Sequence, residues 1–523
     1  MPPLKLGAVW LLSIVPLCAS VALPPGPNQT ALSPIPRPSS EQAFAQLQSI
    51  VVTSVVTEGG LTGICTRTVD SKTGRYRQEF TLGINSGAVG YDGAVSWYQD
   101  SALRVRRENG QYMKALAIDQ AYLFSMAYWF PSRCPAKTQS VRQQRENERV
   151  YDLVSVEPAM GGSLELWFDA ETHLLSRSIE AGFYQTRTSY FSNYQPVHGI
   201  LYPFSTRISN GDSRFDRLEE VQKIQLDPKL DSQLFAVPKE GGRDFSLNSA
   251  FPITIPFRLA ANLIVVDVTI NEKTMPFVLD SGAVNLVFPD TVKELGLIAE
   301  GQFWSFGGGG TGIATSQVRI DSMEFASAHY RPQVFSVYPF PDLRQVIGVP
   351  NLAGILGYEI FKRFVVKVDY PRHELTFSLP EAYQYSGDGI IIPIRFVGNI
   401  PEVDGSIDAI PGQFVVDIGT TGSLILYSPW VTSHRTQFAN ALDNVKTFKG
   451  VAGGEAAFAF TTFKHLTLGN SSFHDVGGAL SLQKAGFTAN PYGTGMVGAE
   501  LFQKSALIFD YQRQRLILEN GHE

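Results

Sequence analysis

Two short motifs carry the clearest chemistry in this chain, Asp280-Ser281-Gly282 and Asp417-Ile418-Gly419. Each Asp closes an apolar run, Phe277-Val278-Leu279 in one case and Phe414-Val415-Val416 in the other. Gly282 and Gly419 follow two residues on and permit a tight turn with close backbone approach. Two carboxyls about 3 Å apart cannot both ionise, so they hold one proton between them and titrate as a pair. The ionised member can draw a proton from water while the neutral member protonates a carbonyl oxygen, which hydrolyses an amide without a metal or a covalent intermediate. Asp280 and Asp417 are therefore the candidate catalytic residues.

The two motifs are not equivalent. Ser281 can reach the opposite turn with its hydroxyl, whereas Ile418 has neither donor nor acceptor. Three residues beyond each Asp, Thr420 offers a hydroxyl and Ala283 does not. A donor at that place favours ionisation of the adjacent carboxyl, so Asp417 is expected to be the charged member and Asp280 the protonated one.

The motifs sit inside a duplication. From Asp280 to Asp417 the offset is 137 residues, and Gly354-Ile355-Leu356-Gly357-Tyr358-Glu359-Ile360-Phe361 is answered by Gly495-Met496-Val497-Gly498-Ala499-Glu500-Leu501-Phe502 at an offset of 141. Val368-Asp369-Tyr370 is answered by Phe509-Asp510-Tyr511. Between Asp and Gly-x-x-Gly each unit carries a glycine-rich stretch, Gly307-Gly308-Gly309-Gly310-Thr311-Gly312 and Gly450-Val451-Ala452-Gly453-Gly454. Gly308, Gly309, Gly310 and Gly453 are candidate tips of mobile hairpins over a cleft. Trp304 and Phe306 precede the first tip and are read as cleft-lining or core. Asp369 and Asp510 are expected in exposed turns of a closing hairpin, and His373 and His465 in surface or packing roles. No Gly-x-Ser-x-Gly elbow is present.

This pattern is similar to pepsin-like and retroviral-type aspartic peptidases, and specifically resembles bacterial exported proteins with two such units in one chain. The resemblance covers about residues 251 to 519. It implies one Asp from each lobe, a cross-brace between the turns from Ser281, and support from Gly282, Gly419 and Thr420. The Ile355-Leu356-Gly357 and Met496-Val497-Gly498 segments fit the family's place behind each Asp. The implied activity is endopeptide hydrolysis on a peptide or protein substrate. The alternative, favoured by Ile418, is an inactive envelope protein that binds peptide, lipid or carbohydrate. With both lobes in one chain, a monomer is expected.

The elements that position these turns are strands. The expected fold class is mainly β: a bilobal pepsin/retropepsin-like acid-protease fold, with lobes over 251–380 and 388–520, preceded by a β-rich, half-barrel-like domain over 41–245. In that first domain Glu41 to Val51 reads as a short amphipathic helix, followed by strand-like runs such as Tyr76–Leu82, Leu164–Asp169 and Leu174–Ile179. Leu166-Trp167-Phe168-Asp169 through Gly199-Ile200-Leu201-Tyr202-Pro203 resembles the curved sheet of bacterial envelope proteins related to lipoprotein carriers. Such a sheet either holds a lipid or peptide chain or braces the next domain.

At 523 residues, with 43 Lys+Arg against 49 Asp+Glu and 18% charged residues, the chain has no basic excess, which argues against nucleic acid as a partner. Lys5, the apolar run Leu6 to Leu17 and Ser20-Val21-Ala22 have the layout of a secretory signal peptide over 1–22, followed by a proline-rich linker over 23–40. A periplasmic or secreted location is expected, with no integral membrane span after cleavage. Cys65 and Cys134 then remain, either as a disulfide or as two buried thiols. No Cys/His cluster has metal-ligand spacing and no cofactor motif is present, so neither a metal nor a cofactor is expected.

Overall fold

The computed structural model describes residues 35, 37–182, 186–306, 312–340, 343–449 and 455–520. The proposed signal segment, most of the proline-rich linker and the tips carrying Gly308, Gly309, Gly310 and Gly453 lie outside the described residues. The described residues divide into two compact units, one up to residue 242 together with 301–303, the other 243–300 together with 304–520. Among the described residues no helix is long and apolar enough to cross a membrane.

The first unit is a single antiparallel sheet of 13 strands. From a central pairing of Ser49–Glu58 with Arg217–Leu226 its strands run outward in chain order on the first side and in reverse chain order on the second. Alternation explains the elements: Ile50, Val52, Ser54 and Val56 are buried along Ser49–Glu58 while their neighbours are less so. The amino-terminal helix spans only Glu41–Gln46, not Glu41 to Val51. The β-branched run Ile50-Val51-Val52-Thr53 instead pairs with strands on both sides, and sheet pairing overrides a short amphipathic pattern. Strands Tyr76–Leu82 and Leu164–Asp169 occupy their expected bounds.

The longest helix among the described residues, Gln111–Phe124, has no apolar stripe to announce it, because Tyr112, Met113, Ala115, Ala117, Ile118, Ala121 and Tyr122 are all buried. Around it and the segment that follows, Phe44, Tyr128, Trp129 and Phe168 build an aromatic core. Deeper along the sheet, Glu219 is held by Arg67 at 2.8 Å and by Arg217 at 2.8 Å. Cys65 and Cys134 are separate thiols, both pushed above the usual thiol range by burial.

The second unit is the mainly β, two-lobed architecture that the duplication predicts. In the first lobe Leu263–Ile270 and Lys273–Leu279 form a hairpin, and Phe277, Val278 and Leu279 pair in parallel with Gly354, Ile355 and Leu356. In the second lobe Ile400–Ile407 and Ile410–Asp417 form the matching hairpin, and Phe414, Val415 and Val416 pair in parallel with Gly495, Met496 and Val497. Leu286–Val287 and Leu424–Leu426 then return antiparallel on the far side of those strands. The register is the same in both lobes, residue for residue.

A six-stranded sheet joins the lobes, three strands from each repeat, in the order Ile253–Pro256, Glu374–Ser378, Val365–Asp369, Ser505–Asp510, Arg515–Asn520, Ile390–Pro393. Its central pair is antiparallel, with Val366 opposite Phe509 and Val368 opposite Leu507. One continuous apolar core runs through this sheet and both lobes, and includes Ile418. Continuity of that core is what fixes the two Asp-bearing strands relative to each other.

Asp369 and Asp510 do not stand in exposed turns. They are 8% and 0% exposed and receive Arg372 at 2.9 Å, and Arg513 and Arg515 at 3.2 and 2.9 Å. Each carboxylate ties its own hairpin turn, with the backbone N–H of Arg372 or Arg513 as a further donor. The arginines carry the exposure, and a buried charge needs such partners.

Candidate active site

Each candidate Asp stands where a buried strand ends. Asp280 follows Lys273–Leu279, and its N–H donates to Leu356 C=O at 2.9 Å. Asp417 closes Ile410–Asp417, with Gly498 opposite it. Behind each turn the equivalent backbone bonds recur: Tyr358 N–H to Ala283 C=O at 2.8 Å, and Ala499 N–H to Thr420 C=O at 2.8 Å. Gly357 and Gly498 have no room for a side chain, since a Cβ would fall 2.2 Å from Ala283 O and 2.3 Å from Gly422 O.

The turns bring the carboxyls face to face. A Cβ placed on Gly282 would stand 2.6 Å from Asp417 Cγ, and one placed on Gly419 would stand 2.1 Å from Asp280 Cγ. Each carboxyl thus fills the space that the opposite glycine leaves by having no side chain. Gly282 N–H donates to Asp280 Oδ1 at 2.7 Å, and Gly419 N–H donates to Asp417 Oδ1 at 2.8 Å. Both Asp residues are buried, at 0% and 3% exposure.

The environments of the two carboxyls then diverge. Thr420 Oγ1 donates to Asp417 Oδ2 at 2.9 Å, whereas Ala283 has no hydroxyl and favours the Asp280 carboxylate through its backbone N–H alone. Asp280 Oδ2 is buried without a donor of its own among the described residues. Burial, and then the adjacent Asp417 charge, push Asp280 well above the usual carboxylate range. Burial also raises Asp417, but hydrogen bonds from Asp280, Thr420 and the Gly419 N–H work against it. A shared proton carried on Asp280 satisfies its orphan oxygen and gives Asp417 a third donor, so geometry and electrostatics agree on which partner is neutral.

The cross-brace is one-sided. Ser281 Oγ donates to Val416 C=O at 3.0 Å and accepts from Ile418 N–H at 3.1 Å, which ties the second turn. Ile418 points no polar group back and is fully buried in the apolar core.

Around the turns stand residues that sequence reasoning missed. Asn285 Oδ1 accepts from Gly357 N–H at 2.8 Å while Glu359 Oε2 accepts from Asn285 N–H at 2.7 Å, which locks the first turn to the Gly-x-x-Gly segment. Asn262 Nδ2 donates to Thr421 C=O at 3.2 Å, across to the second turn. The signal for Asn262 was present: at the 137-residue offset Ile253, Pro256, Arg258, Asn262 and Asp267 recur as Ile390, Pro393, Arg395, Asn399 and Asp404. The paired ion pairs Arg258–Asp267 at 2.8 Å and Arg395–Asp404 at 2.9 Å follow from it.

Of the other residues singled out, Trp304 lies half-buried on strand Ala299–Phe306, its indole Nε1 2.3 Å from where a Cβ on Gly312 would be. Of Phe306 only its place at the end of that strand is described. His373 is exposed in a hairpin turn. His465 is exposed and faces His474 across a hairpin, their Nδ1 atoms 3.1 Å apart. Among the described residues no group of three or more His, Cys, Asp or Glu side chains is arranged to hold a metal ion.

Residues 266–360 match the family model described as aspartyl protease. No curated protein matches the chain. Among solved structures the chain is similar to an aspartic proteinase from Irpex lacteus, at 13% identity over 51% of this chain and 97% of that one, with a TM-score of 0.34. It is also similar to a LolA superfamily protein from Nitrosomonas europaea, at 11% identity over 38% of this chain and 94% of that one, with a TM-score of 0.28. A putative outer membrane lipoprotein-sorting protein domain from Vibrio parahaemolyticus gives 12% identity over 38% of this chain and 93% of that one, with a TM-score of 0.28. The family match therefore falls on the first lobe, the segment that carries Asp280.

Proposed function

We propose that the second unit is an aspartic endopeptidase whose reaction runs between Asp280 and Asp417. The observation that carries this reading is the reciprocal fit of each carboxyl against the opposite glycine, and the burial of both acids with their side chains interacting supports a proton shared between them. In the resting state Asp417 is ionised and Asp280 is neutral. A water molecule gives its proton to Asp417 as its oxygen bonds to the scissile carbonyl carbon, and Asp280 passes its proton to the carbonyl oxygen. The resulting gem-diol collapses as the C–N bond breaks. Asp417 returns its proton to the leaving nitrogen, and Asp280 takes one back from a gem-diol hydroxyl, so the pair ends with the single proton it began with.

Ser281, Gly282, Gly419 and Thr420 hold the pair in place and set its polarity. The test is incubation of purified protein with an unfolded protein substrate from acid to neutral pH, with Asp280→Asn and Asp417→Asn as controls. Cleavage that both substitutions abolish supports the reading; cleavage that survives either one sinks it.

Ile418 supports a second reading. With half of the cross-brace replaced by a buried aliphatic side chain, the cleft can serve to bind an extended peptide without cutting it. A statine-containing peptide that binds tightly to a protein unable to cleave any substrate favours this binder over the enzyme.

A further inference from the structure

Two tyrosines at equivalent places in the repeats, Tyr370 and Tyr511, follow the central strands Val365–Asp369 and Ser505–Asp510 of the six-stranded sheet. Both are buried, at 1% and 3% exposure. Both feel the charges of Asp280 and Asp417. Their hydroxyls differ. Tyr511 Oη donates to Ser281 C=O at 3.4 Å, whereas Tyr370 Oη has no hydrogen-bond partner among the described residues.

This difference mirrors the missing half of the cross-brace. The second turn is held from the first lobe by the Ser281 hydroxyl, which bonds both Val416 C=O and Ile418 N–H. Ile418 cannot return the favour to the first turn. The first turn is the one that Tyr511 reaches, and it does so through Ser281, the residue next to Asp280. Tyr511 itself is packed against Phe396 at 4.8 Å, Phe361 at 5.6 Å and Tyr358 at 5.7 Å, so its ring has little freedom and its hydroxyl a fixed direction. A hydroxyl from outside each turn thus reaches it, Ser281 to the second at 3.0 and 3.1 Å and Tyr511 to the first at 3.4 Å.

We infer that Tyr511 is a positioning residue that stands in for the absent hydroxyl at position 418 and keeps Asp280 aligned with Asp417. The inference rests on the peptidase reading for its kinetic consequence and on geometry alone for the brace. Its test is a double-mutant cycle of Tyr511→Phe with Ile418→Thr, and Tyr370→Phe as the matched control. Tyr→Phe keeps the ring and its packing. Tyr511→Phe is expected to lower kcat about tenfold with KM changed less than about twofold, since loss of alignment acts on the transition state. In the Ile418→Thr background the same change is expected to cost less than about twofold, because the new hydroxyl braces the turn. Tyr370→Phe leaves kcat unchanged. Equal losses in both backgrounds, or an equal loss from Tyr370→Phe, overturn the inference. Amide hydrogen exchange at Ser281, Gly282 and Ala283 reads the brace without catalysis. Tyr511→Phe speeds exchange there and Ile418→Thr restores it, so a protein that cleaves nothing refutes the peptidase while the exchange data still decide the brace.

Discussion

Removal of one hydroxyl, by Thr420→Ala, is expected to move the acid side of the pH–rate profile and leave the fold intact. Thr420 Oγ1 is 2.9 Å from Asp417 Oδ2 and, among the described residues, is the one side-chain hydroxyl that bonds either carboxyl. A hydrogen bond to a charged group is worth about 1.5–3 kcal/mol, and about 1.4 kcal/mol corresponds to a tenfold change in an ionisation constant. The group is fully buried, so solvent screening takes little of this away. The bond stabilises the ionised form of Asp417, so its loss raises the pH at which the pair gives up its first proton. The acid limb of kcat/KM therefore moves upward by about one to two pH units, while the alkaline limb, set by the proton on Asp280, stays in place. The assay is kcat/KM on an internally quenched peptide across the acid and neutral range. Thr420→Ser keeps the hydroxyl and serves as the control. An acid limb that does not move in Thr420→Ala, or that moves equally in Thr420→Ser, refutes the polarity assigned to the pair.

Three further outcomes follow from the same geometry. Asp280 has a folded-state value raised above its unfolded one, so the folded protein keeps a proton that the unfolded chain releases, and this group's contribution is lost as pH rises from the usual carboxylate range toward neutrality. Asp280→Asn, neutral throughout, should match wild type in acid and become the more stable of the two as pH rises toward neutrality in thermal or urea unfolding; a constant difference at all pH values contradicts this. Gly419→Ala puts a methyl 2.1 Å from Asp280 Cγ and should cut cleavage at least about 100-fold, whereas near-normal activity would show that the carboxyl does not fill that space. Asp244 accepts from Arg363 Nε at 3.0 Å, with Gln333 bonded to the same guanidinium at 2.8 Å, all buried. Asp244→Asn removes the buried carboxylate that pairs with Arg363 and should cost about 3–5 kcal/mol in unfolding of the full chain, with a loss under about 1 kcal/mol counting against it.

The lobes were legible because the duplication repeats residue types that strand ends and tight turns require. Asp280 and Asp417, with Gly282 and Gly419 behind them, occupy equivalent turns, and the parallel pairings of Phe277 with Gly354 and of Phe414 with Gly495 follow the two offsets. The roles of Asp369 and Asp510 were not legible, because a carboxylate beside an arginine reads as an exposed turn until the buried sheet around it is known. Helix Gln111–Phe124 left no periodic trace, since both of its faces are covered. Nor could spacing reveal that Cys65 and Cys134 stay apart, because Cys65 lies on strand Leu61–Asp70 and Cys134 in the connection before strand Ala136–Glu146, where packing and not distance along the chain sets their separation. Tyr511 was visible as part of a repeated Asp-Tyr pair, but its partner, Ser281 C=O, is a backbone group that no motif records.

The most direct test is a crystal structure of the full chain bound to a statine-containing peptide. The account predicts the statine hydroxyl within hydrogen-bond distance, about 2.5–3.2 Å, of carboxyl oxygens from both Asp280 and Asp417, with the Thr420 hydroxyl still on Asp417. A peptide seated on only one carboxyl, or elsewhere on the molecule, contradicts it.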